Sequence, residues 1–295
     1  MTDLALMSLR PAASRAGFRW RSLVGQAWRY GCLVVLLAVI VFPIYWLVLN
    51  SLKHQRDFFT GPPIYFTTDL TLSHWQEALG NPLNQKYLLN TAIVTAVSTV
   101  LATLAGTLCA YVLARIRLPF RLNRVLLISI LIARLFPPVS LAIPYYLLMR
   151  QLGLLDTLPA LVIAYTGLAL PFVTWLMLTF FQDLPREIER AAMVDGCTMF
   201  QRFRWIVLPM SLSSMMVTAI FVFMGVWNEL LYSLTLTSLS AKTIPVAIAS
   251  FVGDNALAWG QMSALSIASF VPILLMALTV QRYLVRGITF GAVKG

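Results

Sequence analysis

Residues 31–50 read GCLVVLLAVIVFPIYWLVLN, without one charged side chain. A run of that length matches the hydrocarbon thickness of a bilayer, because a spanning helix needs about 20 mostly apolar residues. Similar runs lie near 87–112, 125–149, 158–181, 206–231 and 261–283, and the first extends over 30–50. They are too long and too unalternating for barrel strands. Inside lipid the backbone must satisfy its own hydrogen bonds, so each run reads as a helix. The chain is 59% hydrophobic and 11% charged, with a mean hydropathy of +0.81, where a soluble domain carries about 25% charged residues. The predicted class is an all-α polytopic membrane protein with six transmembrane helices.

The net charge of +11 is not spread evenly. Arg10, Arg15, Arg19, Arg21, Arg29, Arg115, Arg117, Arg121 and Arg124 fall on one side of the predicted spans. So do Arg186, Arg190, Arg202, Arg204, Arg282, Arg286 and Lys294. The other side holds Lys53, Arg56, Lys86, Arg150 and Lys242. The positive-inside bias predicts that both termini are cytoplasmic. The surplus charge is therefore a topology signal, and it implies the bilayer rather than nucleic acid as partner. Residues 1–28 read as a basic cytoplasmic tail, 29–284 as the transmembrane domain, and 285–295 as a C-terminal cytoplasmic tail. The first apolar run is longer than a signal-peptide core, and no small-residue cleavage site follows it.

Catalytic and metal signatures are missing from the sequence. Cys32, Cys109 and Cys197 are scattered and form no disulfide framework. His54 and His74 share the first outer loop, too isolated to suggest a metal site. There is no phosphate-loop pattern, no HExxH and no GxSxG. The expectation is a transport subunit, not an enzyme, with no cofactor on this chain.

Prolines interrupt several spans: Pro137, Pro138 and Pro144 in the third, Pro159 and Pro171 in the fourth, Pro209 at the fifth, Pro272 in the sixth. Broken helices are tolerated where neighbours or a water-filled cavity satisfy the freed groups, as in transporters. Arg134 lies inside the third run, and an intramembrane ion usually faces a cavity or a partner. Trp227-Asn228-Glu229 combines an aromatic surface with hydrogen-bonding groups, the chemistry a sugar hydroxyl needs. These four residues are the candidate substrate pathway, set against snorkelling for Arg134 and a membrane-interface aromatic for Trp227. Asn90 and Thr91 read as packing residues. Span two is rich in Thr, Ala, Ser and Gly, which suits close helix approach. An ion-coupled secondary carrier would need intramembrane carboxylates, and only Glu229 comes close.

Residues 183–209 break the apolar pattern. Asp183 and Pro185 suit a helix start, and Asp195-Gly196 suits a stop. Thr198 followed by Gln201 has capping-box spacing. A helix, a sharp turn and a second helix leading into span five are predicted along the inner face. Ala191 and Ala192 leave room for a partner backbone, and Phe200, Phe203 and Trp205 form an apolar ledge. Two readings stand: an interfacial loop that only stabilises the bundle, or a docking surface.

PREIERAAMVDGCTMFQRFRWIVLP resembles the EAA loop of ABC importer permeases, roughly E-A-A-x-x-D-G-A, a spacer, then I-x-L-P. Ala191, Ala192, Asp195, Gly196, Ile206, Leu208 and Pro209 match in register. Arg190 stands where the family has glutamate, with Glu189 one residue earlier, and Cys197 stands where it has alanine. The C-terminal QRYLVRGITFGAVKG, TWLMLTFFQDLP and VWNELLYSLTL resemble the sugar-importing branch, similar to its shorter six-span maltose-type permease. The resemblance implies a permease subunit that moves a sugar inward, a di- or oligosaccharide, with glycerol-phosphate or a polyol as alternative solutes. It implies two ATP-hydrolysing subunits carrying ATP and Mg, a second related permease, and an extracytoplasmic solute-binding protein. It places the chain in a bacterial inner membrane. It assigns ATPase coupling over 185–201 to Glu189, Arg190, Ala191, Ala192, Asp195 and Gly196, and a further ATPase contact to Gly291, Lys294 and Gly295. The family's glutamate would pair with a basic group on the ATPase; Arg190 cannot, and adjacent helix residues do not share a face.

Overall fold

The computed structural model describes residues 15–59, 61–252 and 258–291. Among these there is no strand. Helix α1 spans Arg15–Leu52, a short α2 spans Ser73–Gly80, and α3 spans Pro82–Arg115. Then come α4 (Leu122–Leu135), α5 (Pro138–Gln151) and α6 (Leu158–Asp183). The inner segment holds α7 (Arg186–Val194) and α8 (Met199–Arg202), which runs through a π turn into α9 (Leu208–Trp227). Two short helices, α10 (Leu231–Leu236) and α11 (Ile244–Ser250), precede α12 (Trp259–Gly291).

Among the described residues, five helices are long and apolar enough to cross a membrane, and α4 with α5 passes the same test only as a bent pair, which brings the number to six if the pair is one span. That pair corrects the expected single helix over 125–149: the two halves meet at a bend of 102°. The cause is local. Phe136 and Pro137 both adopt extended backbone, at φ −68°, ψ 128° and φ −61°, ψ 132°. A residue before proline is pushed out of the helical region, and two such residues in succession end one helix and start another. Helical structure runs beyond the apolar spans at both ends: α1 begins at Arg15, within the basic 1–28 segment, and α12 continues past residue 284 to Gly291.

The core is a sandwich of α3 between α6 and α9. Thr91, Thr95, Ser98, Thr99, Thr103 and Thr107 are buried along α3, as its small-residue composition predicted. Gly106 sets the closest approach: a Cβ there would lie 2.5 Å from Val173 Cγ1 of α6. Helix α1 packs mainly against α12, and its apolar surface is largely exposed, as a lipid-facing helix requires.

The irregular outer end is held by side chains that cap it. Asp156, at φ 57°, accepts backbone N–H groups of Ser238, Leu239, Ser240 and Ala241 at 3.0–3.3 Å. Burial alone would raise its pKa, but those donors outweigh it and hold the carboxyl well below the usual range. Asn90 donates to the carbonyls of Ser240 and Lys242, both at 3.0 Å, and Thr91 accepts from Ile244 N at 2.9 Å. The packing role expected for Asn90 and Thr91 is thus explicit.

Two outcomes follow from this packing. Gly106→Val should destabilise the bundle by about 1–3 kcal/mol through overpacking, seen as a lower midpoint in a detergent thermal-shift assay. Gly25→Val, where nothing lies within 4 Å, should leave it unchanged. Asp156→Asn should lower the same midpoint at neutral pH. Because the folded pKa is depressed, the ionised group stabilises above the unfolded value of about 3.9. That stabilisation is lost as pH falls below it, so wild type and variant should converge in acid.

Candidate functional site: a coupling segment and a cavity behind the broken span

Helix α6 continues to Asp183, so that residue ends α6 instead of capping α7; extended Pro185 is the N-cap. Helix α7 ends as its sequence predicts. Gly196 takes φ 84°, its N–H reaches Met193 O at 3.2 Å, and Cys197 N–H reaches Ala192 O at 2.9 Å. This is the paired closure that glycine permits at a helix end. Thr198 and Gln201 then form the full capping box, with bonds of 2.7 and 3.3 Å. The chain enters α9 through a π turn at Phe203–Val207, where Leu208 N–H bonds Phe203 O. Pro209 has no N–H to give to the ladder, and widening the turn absorbs that loss.

The side chains of α7 divide between two faces. Arg190, Ala191, Asp195 and Gly196 are exposed, together with Met193 and Val194. Glu189 and Ala192 face inward, each 6% exposed. This corrects the expectation that both alanines and Glu189 meet an outside partner. Glu189 accepts Arg115 Nε at 2.6 Å and the Tyr111 hydroxyl at 2.9 Å. Arg115 also donates to Leu184 O at 3.0 Å, and Arg186 donates to Ala114 O at 3.2 Å. Tyr111 packs on Phe203 and Phe181, with centroids 4.8 and 5.7 Å apart. The inner ends of α3, α6, α7 and the π turn are thus locked around one buried carboxylate. Arg190 lies outside this lock, with Glu187 at 3.9 Å.

The three residues Trp227, Asn228 and Glu229 separate. Trp227 is 4% exposed, stacks on Phe223 and donates to Ser269 O at 3.0 Å, so it packs α9 on α12. That removes it from the candidate pathway. Asn228 bonds Met224 O at 2.8 Å and opens on a cavity of about 410 Å³ beside α11 and α12. Glu229 lines a different cavity of about 470 Å³, and Arg134 lines it too. Two residues 95 positions apart in the chain thus meet in one space, because the break at Phe136–Pro137 folds α4 back toward α6 and α9.

Aromatic side chains of Phe136, Phe172, Phe221, Tyr165 and Tyr232 line that cavity among aliphatic residues of α4, α5, α6 and α9. The Arg134 guanidinium sits 5.2 Å from the centre of the Phe172 ring and has no carboxylate partner among the described residues. The Glu229 carboxylate caps α10, accepting Tyr232 N–H at 3.1 Å and Ser233 N–H at 3.4 Å. The Tyr232 hydroxyl donates to Pro138 O at 2.8 Å, tying α10 to the first turn of α5. The buried Tyr165 hydroxyl lies near Glu229 but makes no hydrogen bond of normal geometry. The cavity therefore offers a flat apolar wall, a free cation and an unspent hydroxyl.

The family model for the binding-protein-dependent transport system inner membrane component matches residues 102–290, from α3 to α12. The chain belongs to that family. Two relatives show the likeness over nearly the whole length. The diacetylchitobiose uptake system permease of Streptomyces coelicolor is 34% identical over 93% of this chain and 99% of its own. The trehalose/maltose transport system permease of Thermococcus litoralis is 33% identical over 88% of this chain and 94% of its own. Among solved structures, a bacterial ABC transporter involved in the import of the acidic polysaccharide alginate matches at TM-score 0.74 and 20% identity, over 93% of this chain and 99% of that one. That likeness carries the fold.

In this permease, the sequence alone did not mark Arg115 and Tyr111 as partners of Glu189, or Tyr165 and Tyr232 as lining of the cavity. Arg115 reads there as one more inner-side positive charge. Its distinguishing signal is its place at the last turn of a span, within reach of a segment holding an unassigned glutamate. Gly291 is the last residue of α12; Lys294 and Gly295 lie outside the described residues.

The lock at Glu189 predicts a measurable cost. Glu189→Gln leaves Arg115 buried and uncompensated, which costs about 3–5 kcal/mol. The permease should still insert, with a lower thermal midpoint. The double variant Glu189→Gln with Arg115→Gln should recover part of that loss, and a double-mutant cycle measures the coupling.

Proposed function

We propose that this permease moves a carbohydrate, a di- or oligosaccharide, into the cytoplasm through the cavity behind its broken span. The observation that carries this reading is the chemistry of that cavity. Aromatic faces match the apolar faces of sugar rings, while Arg134 and Tyr165 supply unspent donors for hydroxyls. The names of the two relatives support it, since both are permeases of sugar uptake systems. Glu229 acts in this reading by holding the start of α10 in place.

The permease works with a second related permease, two ATP-hydrolysing subunits that bind ATP and Mg, and an extracytoplasmic solute-binding protein. Both termini lie in the cytoplasm, and hydrolysis belongs to the partner subunits. ATP closes those subunits and displaces α7. The exposed face of Arg190, Ala191, Met193, Val194, Asp195 and Gly196 meets the ATPase, and the C-terminal Gly291, Lys294 and Gly295 add a second contact. The buried face transmits the motion: α7 cannot move without α3, because Glu189 grips Arg115 and Tyr111. Helix α3 in turn lies against α6 at Gly106, so the walls of the cavity move with it.

A second reading, an anionic solute such as glycerol-phosphate, is favoured by one observation: Arg134 has no carboxylate partner. Both are tested in one experiment. The transporter is purified by mild detergent through this permease, its companions are identified by mass spectrometry, and uptake into proteoliposomes is measured. Tyr165→Phe should reduce uptake about tenfold while basal ATP hydrolysis persists. Arg134→Gln should reduce uptake of a neutral sugar modestly and of an anionic solute by more than tenfold. Full uptake in both variants would remove the cavity from the pathway.

A further inference from the structure

The turn between α3 and α4 is built in an unusual way for so short a connection. Residues 116–121 join the two helices, with a tight 3-10 turn at Pro119–Arg121. Phe120 and Arg121 both take left-handed backbone, at φ 53° and φ 58°. That conformation is unfavourable for residues with a Cβ and persists only where the surroundings hold it. Here Asn123 holds it. Its Oδ1 accepts Leu118 N–H at 2.7 Å, and its Nδ2 donates to Ile116 O at 2.7 Å and Leu113 O at 3.3 Å.

The result of that ordering faces outward. Phe120 is 98% exposed, and Arg117, Arg121 and Arg124 are exposed around it. None of the three has an ion pair among the described residues. Their neighbour Arg115 is the contrast, buried on Glu189. The loop thus spends backbone strain to project one aromatic ring and three cations away from the protein.

We propose that this loop is a binding site for anionic phospholipid headgroups, with Phe120 seated in the interfacial layer. The geometry favours lipid over a protein partner. The flanking surface of α4 is already apolar and exposed at Leu122, Val125 and Leu126, so hydrocarbon continues where the cations stop. Guanidinium groups pair with phosphate oxygens bidentately, and an aromatic ring is at home at headgroup depth. Basic clusters beside a span read as anionic-lipid sites for these reasons.

The test uses the whole transporter, purified from membranes rich in phosphatidylglycerol and phosphatidylethanolamine. Native mass spectrometry counts the lipid retained on wild type, on the triple variant R117Q/R121Q/R124Q, on the triple variant R117K/R121K/R124K and on Phe120→Ala. The expected result is at least a threefold loss of phosphatidylglycerol in the glutamine variant, with phosphatidylethanolamine unchanged. The lysine variant should keep at least half of the wild-type retention, and Phe120→Ala should fall between. Equal phosphatidylglycerol on wild type and glutamine variant would overturn the proposal. So would a glutamine variant that keeps its lipid but loses an ATPase subunit, since that result assigns the loop to a protein contact. Should the glutamine triple variant not assemble, the single variants Arg117→Gln, Arg121→Gln and Arg124→Gln give the same readout in smaller steps, and no loss in any of them would also overturn it.

Discussion

Hydrocarbon offers no water to a backbone group left without a partner, and an unsatisfied group there costs several kcal/mol. Several irregular stretches among the described residues have their backbone groups taken by side chains. Beside the break in span three, the Tyr232 hydroxyl donates to the Pro138 carbonyl at the start of α5. The N-terminus of α10 is capped by Glu229, and the 238–241 turn by Asp156. The carbonyls of Ser240 and Lys242 are held by Asn90 from the face of α3. Irregular backbone and capping side chain occur together at each of these places. The cavity forms beside the 102° bend between α4 and α5, on the side that faces α6 and α9.

Helix α3 connects the two halves of the function. Toward the outside it supplies Asn90 and Thr91 to the re-entering outer segment. In its middle, Gly106 lets α6 approach to contact. At its inner end, Tyr111 and Arg115 grip Glu189 of α7. A charged contact buried to this degree is a demanding choice, because both ions must leave water. It gives in return a joint that is rigid only when both partners are present. That suits the coupling role proposed for α7, which would carry motion between the partner ATPases and the membrane helices. The substitution of arginine at 190 belongs to the exposed face, and the joint does not depend on it.

Much of this was legible in the residues themselves. Span positions follow from runs of apolar side chains matched to bilayer thickness. The stop at Gly196 and the restart at Thr198 follow from local backbone preferences, and both stand as read. The small-residue face of span two was also legible, since only small side chains permit a helix to bury itself between two others. The candidates Arg134 and Glu229 were found as ions out of place in apolar runs. Their common cavity was not, because composition says that a span is interrupted but not which way its second half turns. Trp227 was misjudged for a related reason: an indole at a span end suits an interface and a core equally, and only the Ser269 carbonyl decided between them.

Glu189 shows where the division falls. Its sequence position specifies that it sits on a short inner helix beside two alanines, in a segment resembling a docking loop. Helical period alone cannot say which face of that helix meets the protein and which meets a partner, because α7 is short and both faces carry small and charged groups. The tertiary structure decided it by bringing Arg115 and Tyr111 within 2.6 and 2.9 Å. The chain's membrane character, its helices and their ends were set by local physics: apolar length, prolines, glycines and caps. Which side chains meet was set by how the helices pack, and that depends on close approaches, such as Gly106 on Val173, that no single segment contains.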